Sequence, residues 1–287
     1  RNETRLTHIS DNSVNIYEDY AYYFINFDKV AGKRVATSDV DLPSNNADIF
    51  TRYDDYQFLN EEKNNFLNIG RLWVGEPFNT DKSVTFTTNT PILATDELKL
   101  KISVYVQNAN NDKITYNLNG QNLGNYTVTN TADTKIREIA LQTDVQNITG
   151  NSLKFDFSPT GSNPLVTYNL DYVEVQYKQD LKFNNSQMNF RAYDIFEGTG
   201  SNYGFTMDNT TGLEQIWNVS DITNAKKVTN KASGSQFSFG YMADSNYFNN
   251  EFVAFKSDAA YEPNFVEKTE NQDLASLQNI DYLILTT

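Results

Sequence analysis

The clearest pattern of apolar and polar positions lies between residues 83 and 177. Val84-Thr85-Phe86-Thr87 alternates, and Leu98, Leu100, Ile102, Val104 and Val106 then take every second position, with Lys99, Lys101, Ser103 and Tyr105 between them. A period of two sends successive side chains to opposite faces, so this stretch predicts a strand with a buried inner face and a solvated outer one. Ile114-Thr115-Tyr116-Asn117-Leu118 runs into Asn119-Gly120, a dipeptide suited to a two-residue hairpin because both of its residues tolerate positive φ. Further strands are predicted at residues 126–128, 136–141, 153–157 and 166–177. The last changes parity at Tyr172-Val173, from Tyr168, Leu170 and Tyr172 to Val173, Val175 and Tyr177. A parity change predicts a bulge or a strand buried on both faces. Strands this short and this closely spaced predict a β-sandwich, with jelly-roll topology preferred.

The flanks are less regular. Strand-like patches occur at residues 14–17 and 22–27, and a glycine-centred turn follows at Ala31-Gly32-Lys33-Arg34. Residues 53–66 mix acids with aromatics and fit an extended arm or a short helix. Lys178-Gln179-Asp180 reads as a linker into a section of shorter strands at 188–193, 203–207, 212–219 and 236–241, punctuated by Gly198-Thr199-Gly200 and Ser233-Gly234-Ser235. This section predicts a second, smaller β-module packed on the first. Near the end, Asp273-Leu274-Ala275-Ser276-Leu277-Gln278 suits a short amphipathic turn, and residues 280–287 form a nearly continuous apolar strand. Unbroken apolar strands belong to parallel sheets covered on both faces, so the tail predicts the opening of an α/β domain and the chain reads as a piece of a longer protein. The expected class is all-β and multi-module: an N-terminal β-rich module (1–78), a jelly-roll-like sandwich (79–178), a smaller β-module (179–262), and a linker with the first strand of a further domain (263–287).

Composition narrows the function classes. Aromatics make up 14% of the chain, with 18 Tyr and 19 Phe, which suits pleated, half-buried surfaces. The net charge of -14 repels phosphate backbones and anionic lipids and argues against nucleic acid as a partner. No apolar run approaches the roughly 20 residues of a membrane span. The chain has no Cys and one His, His8. Disulfides and a thiol nucleophile are therefore absent, zinc is practically excluded, and any triad would have to rest on His8, which has no local support. Oxygen-rich calcium sites stay open at Asp54-Asp55 and at residues 108–112, although the ordered spacing of a calcium loop is missing and loop solvation is the preferred reading. Gly198-Thr199-Gly200 lacks the strand-and-helix context of a phosphate loop. The sequons at Asn2, Asn125, Asn147, Asn184, Asn209 and Asn218 are expected by chance in so Asn- and Thr-rich a chain. Trp73 and Trp217 are expected in packing. The residues thus nominate no catalytic, cofactor-binding or metal-binding position.

Several blocks together carry a family resemblance. They are Tyr22-Tyr23-Phe24-Ile25-Asn26-Phe27 with Ala31-Gly32-Lys33-Arg34, Ile69-Gly70-Arg71-Leu72-Trp73-Val74-Gly75-Glu76-Pro77-Phe78, Leu170-Asp171-Tyr172-Val173-Glu174-Val175, Ile216-Trp217-Asn218-Val219-Ser220-Asp221, and Asn271-Gln272-Asp273-Leu274 before the final apolar strand. In these blocks the chain resembles the N-terminal, non-catalytic region of the type IX secretion sortases, which are gingipain-type cysteine peptidases with a β-rich front. It departs at Ile69, Asn218 and Ala275, where the family carries serine, aspartate and histidine. The resemblance implies a peptidase domain beyond residue 287, holding the family's cysteine and histidine. It also implies cell-surface location in a Gram-negative bacterium, and an enzyme that removes C-terminal sorting signals and anchors cargo to a surface lipopolysaccharide. For this chain it implies scaffolding and docking of secretion subunits and cargo, with surface polysaccharide as a further partner. Other classes remain alongside it: a carbohydrate-binding jelly-roll protein with an exposed row of aromatics, an adhesin or surface-layer segment, and a free-standing glycosidase needing only paired acids.

Overall fold

The computed structural model describes residues 22–25, 31–65, 72–131, 136–161, 163–195, 201–243 and 250–268. The first stretch supplies β1 (Ala36–Ser38), β2 (Ile49–Phe50), β3 (Arg52–Asn60), β4 (Asn64–Asn65), β5 (Trp73–Val74) and β6 (Pro77–Phe78). The middle supplies β7 (Lys82–Ile92), β8 (Leu98–Gln107), β9 (Asn110–Leu118), β10 (Gln121–Thr129), β11 (Ile136–Val145), β12 (Gly150–Thr160) and β13 (Thr167–Asp180). The remainder supplies β14 (Met188–Phe190), β15 (Asn202–Met207), β16 (Gln215–Asn218), β17 (Lys226–Val228), β18 (Phe237–Met242) and β19 (Phe252–Phe255).

Two sheets make the larger unit, one ordered β10-β9-β12-β7 and the other β11-β8-β13-β3, with β6 pairing the start of β13. Taken in chain order, the first of these eight strands neighbours the last and the second neighbours the seventh, which is the jelly-roll arrangement. The period-two pattern turns Leu100, Ile102, Val104, Tyr116, Leu118, Phe155, Phe157, Val173 and Val175 into one core with essentially no exposure. Burial of each such side chain contributes roughly 1.5–3 kcal/mol. Leu118 pairs Gln121 across Asn119 (φ 49) and Gly120 (φ 83), as a two-residue hairpin with both central residues at positive φ requires. The parity change in β13 is a bulge, marked by a register shift against β8 between Leu170 and Tyr172.

The smaller unit packs a sheet ordered β1-β17-β16-β19-β14 against a three-stranded one ordered β18-β15-β2. Its core centres on Phe190, Phe205, Phe239 and Phe252, with the rings of Phe205 and Phe239 5.2 Å apart and those of Phe205 and Phe252 4.8 Å apart. β1 and β2 enter it through parallel pairs with β17 and β15.

Several expectations need correction. The sandwich does not begin near residue 79: its first strand is β3, which pairs β13 from Asn60↔Tyr172 to Arg52↔Asp180. Residues 53–60 are thus a strand, neither arm nor helix. Lys178-Gln179-Asp180 is no linker but the end of β13, where buried Gln179 accepts the Thr90 N–H at 2.8 Å and donates to Asp55 at 2.5 Å. The outer face of β8 is not fully solvated: Lys101 and Ser103 are buried because β8 is an interior strand, flanked on that face by Glu174 and Tyr172 of β13. Tyr22, Tyr23, Phe24 and Ile25 are exposed and belong to no strand. His8, the patch at 14–17, Asn26-Phe27, Ile69-Gly70-Arg71 at the head of the 69–78 block, Gly198-Thr199-Gly200 and everything from residue 269 lie outside the described residues.

Candidate functional site

β3 closes one side of its sheet and borders the smaller unit. The Asp54 N–H donates to the Arg191 carbonyl at 2.9 Å. Alternation along the strand then turns the backbone N–H and C=O groups of Asp54, Tyr56, Phe58 and Asn60 toward that open edge, while those of Tyr53, Asp55 and Gln57 face β13. The junction is polar and internally satisfied. Buried Asp54 accepts the Tyr193 N–H at 2.6 Å and pairs Lys178 at 3.3 Å; burial pushes its carboxyl above the ordinary range, against the pull of Lys178. Buried Arg191 meets Glu251 at 2.5 Å and donates to the Asp54 carbonyl at 3.3 Å. Asn250 bonds Ala192 in both directions, at 2.8 and 2.9 Å.

Beyond this junction the edge of β3 and residues 184–191 diverge, leaving a cleft of about 440 Å³, within the range of small-ligand sites. The rings of Tyr56 and Phe58 stand near-parallel, 18° apart with centroids at 6.5 Å, and Phe58 is 39% exposed. The Arg191 guanidinium lies over Tyr56, 5.1 Å from the ring centre, a cation–π contact. The opposite wall is amide-rich: Asn184, Gln187 and Asn189. At the base, Asp55 accepts from Gln179 and from the Tyr56 N–H at 2.9 Å; burial raises its carboxyl.

A second polar group occupies the outer face of the β8–β13 sheet. Glu174 is 4% exposed, its Oε2 has no hydrogen-bond partner, and burial pushes its carboxyl up to about 7, with Lys101 opposing the rise and Asp171 adding to it. Asp171, beside the bulge, is pushed to about 6 by burial, with Glu62 and Glu138 adding. Ser103 donates to Glu138 at 2.9 Å.

The sequence reading nominated no site residue, and its two open calcium positions resolve into structural roles. Asp54 and Asp55 point to opposite faces of β3 and each is taken up by protein donors. Asp112 accepts the Asn110 N–H at 2.7 Å and Asn163 at 3.3 Å, closing a turn in which Asn108 and Asn111 hold positive φ. Among the described residues no cluster of three acid or histidine side chains could hold a metal. Trp217 packs edge-on against Phe255 at 5.4 Å, and Trp73 pairs Asn65 across β5 and β4. The cleft was missed because its walls come from segments more than 120 residues apart. The one local signal was the aromatic and acidic mixture of residues 53–58.

By fold, then, the chain is an all-β protein in which a jelly-roll sandwich carries a smaller β unit on the edge of its first strand. No protein-family model and no curated protein matches it. Among solved structures it is similar to the dimeric latent form of PorU from Porphyromonas gingivalis, with a TM-score of 0.67 and 18% identity over 85% of this chain and 24% of that one. The chain therefore spans about a quarter of that protein's length, and at this identity the likeness establishes a PorU-like fold. A second structure, the CBM36-1 domain of a multidomain xylanase from the hindgut metagenome of Trinervitermes trinervoides, aligns over 42% of this chain and 96% of its own, with 12% identity and a TM-score of 0.26. At that score the likeness carries no weight. No described helix is long and apolar enough to cross a membrane.

Proposed function

We propose that this chain is the non-catalytic front region of a gingipain-type cysteine peptidase of the type IX secretion system, serving as scaffold for the peptidase domain and as docking surface for secretion subunits and cargo at the cell surface. The observation that carries the reading is the breadth of the likeness to PorU. The sandwich from Arg52 to Asp180 is less than half of the chain, so a match over 85% of it needs the smaller unit as well, and jelly rolls alone are too widespread to point to one family. The sequence blocks quoted above support the same reading from independent residues. In this role the chain supplies no reacting group; the cysteine and histidine belong to the domain that follows.

Intact-mass measurement and C-terminal sequencing of the native protein test this. The expected result is a polypeptide running well past residue 287 into a domain with a cysteine and a histidine. A native chain that ends near Thr287 overturns the proposal.

A further inference from the structure

The cleft beside β3 has a chemistry that the scaffold role does not call for. Its one well-exposed apolar group is Phe58, standing parallel to Tyr56, whose ring is braced by Arg191. Around this pair the lining is neutral amide. Asn184 uses its Oδ1 for the Ser186 N–H at 3.0 Å, and Gln187 uses its Oε1 for the Tyr261 N–H at 3.1 Å, so both keep their NH₂ donors for the cleft. Asn189 is exposed on the same wall.

The charged groups nearby are already engaged within the chain. Arg191 is held by Glu251, and Asp55 is held by Gln179 and the Tyr56 N–H. An anionic ligand would find no unpaired cation here, and a cationic one would meet the Asp55 carboxylate only behind the protein donors that already enclose it. An apolar ligand would find one ring and a wall of amides. A strand-adding peptide would need the Tyr56 N–H, and the Asp55 carboxylate already occupies it, a cap that blunts an edge strand against pairing. What remains is a ligand that is neutral, carries both donors and acceptors, and offers an apolar face to a ring. Pyranose sugars have that combination: their hydroxyls accept from the NH₂ groups of Asn184 and Gln187 and can bond in both directions with the Asn189 amide, and their C–H faces stack on aromatic rings.

We infer that the cleft between β3 and residues 184–191 is a binding subsite for a neutral oligosaccharide, with Phe58 and Tyr56 as the stacking groups and Asn184, Gln187 and Asn189 as the hydroxyl-binding wall. The inference does not depend on the peptidase reading, since it rests on this chain's own lining.

The test uses the whole 287-residue chain and four neutral hexasaccharides, of gluco-, manno-, galacto- and xylo-configured sugars, followed by saturation-transfer NMR and titration. At least one should receive saturation and bind. Phe58→Ala should weaken that binding about tenfold, the scale of a lost ring contact, and Asn189→Ala should weaken it severalfold. Both side chains are exposed, and unchanged thermal melts establish that the variants are folded. Three results overturn the inference: no transfer to any of the four sugars, binding unchanged in Phe58→Ala, or competition for the cleft by an extended Val/Thr decapeptide in place of the sugars. None of these bears on where the native polypeptide ends.

Discussion

At the scale of single residues, the most consequential group is Glu174. A carboxylate buried without a partner for Oε2 costs more when charged than when neutral, and burial accordingly raises it to about 7 from an ordinary value of 4.5. The linkage has a definite sign. Below pH 4.5 the folded and unfolded states both hold the proton. Between 4.5 and 7 the folded state holds it more firmly, so stability falls as pH rises, and above 7 the loss is complete. At about 1.4 kcal/mol per unit, with the pull of Lys101 already contained in the value of about 7 and a discount for residual solvent screening, the loss at Glu174 is on the order of 2 kcal/mol. Asp171, at about 6, titrates in the same window and adds to it. Urea midpoints should therefore decline from pH 5 to pH 8. Glu174→Gln should be near neutral at pH 5 and stabilising by about 1–2 kcal/mol at pH 8, leaving a shallower decline due to Asp171. A variant less stable than the parent at pH 8 would show that the ionised carboxylate has a partner worth keeping.

At the scale of elements, the smaller unit depends on a close backbone approach. Gly204 of β15 pairs Gly240 of β18, and the segment 40–43 lies over this glycine pair. A Cβ on Gly240 would overlap the Asp41 carbonyl, whereas a Cβ on Gly204 would meet only side-chain atoms of Leu42, Pro43 and Ile49 at 3.0–3.2 Å. Backbone yields less readily than side chains, so Gly240→Ala should cost about 1–3 kcal/mol and Gly204→Ala distinctly less. Denaturant melts of the two variants check the order, and equal costs would mean that the segment 40–43 is free to lift away. The same element shows what the sequence made legible. Alternation in β8, the Asn119-Gly120 turn and the parity change at Tyr172 are local signals, and each matches a strand, a hairpin or a bulge. The membership of β1, β2 and β3 was not legible, because it is decided by partners more than a hundred residues away, and a two-residue strand such as Ile49–Phe50 has no period to read. Lys178-Gln179-Asp180 looked like a linker for a related reason. Polar residues in sequence signal exposure, but Gln179 is buried through hydrogen bonds to Thr90 and Asp55 that only the folded sheet brings together.

At the scale of the whole molecule, the open question is whether the two units stand or fall together, and β3 is where that is decided. Tyr53 belongs to β3 of the sandwich, yet its ring packs in the smaller unit's core, edge-on to Phe190 at 6.4 Å. The next residue, Asp54, holds the Tyr193 N–H and the Lys178 ammonium. One strand therefore contributes to both cores, and coupling through it should make the native protein melt in a single transition. Asp54→Ala leaves the Tyr193 N–H unpaired and leaves Lys178 with Asp194 alone, at a cost of about 1–2 kcal/mol, while sparing both apolar cores. The chain's two tryptophans give a direct readout. Trp73 sits in β5, next to the segment that bonds β13 through Gly75, and Trp217 sits in β16 of the smaller unit. In the parent background, Trp217→Phe and Trp73→Phe proteins should report the same melting midpoint, one from each unit. Adding Asp54→Ala should split the two, with the smaller unit melting first, because its sheets are shorter and it loses the sandwich edge on which Arg191 and Tyr193 dock. Midpoints that stay coincident after Asp54→Ala would mean that Tyr53 and its apolar contacts alone hold the units together.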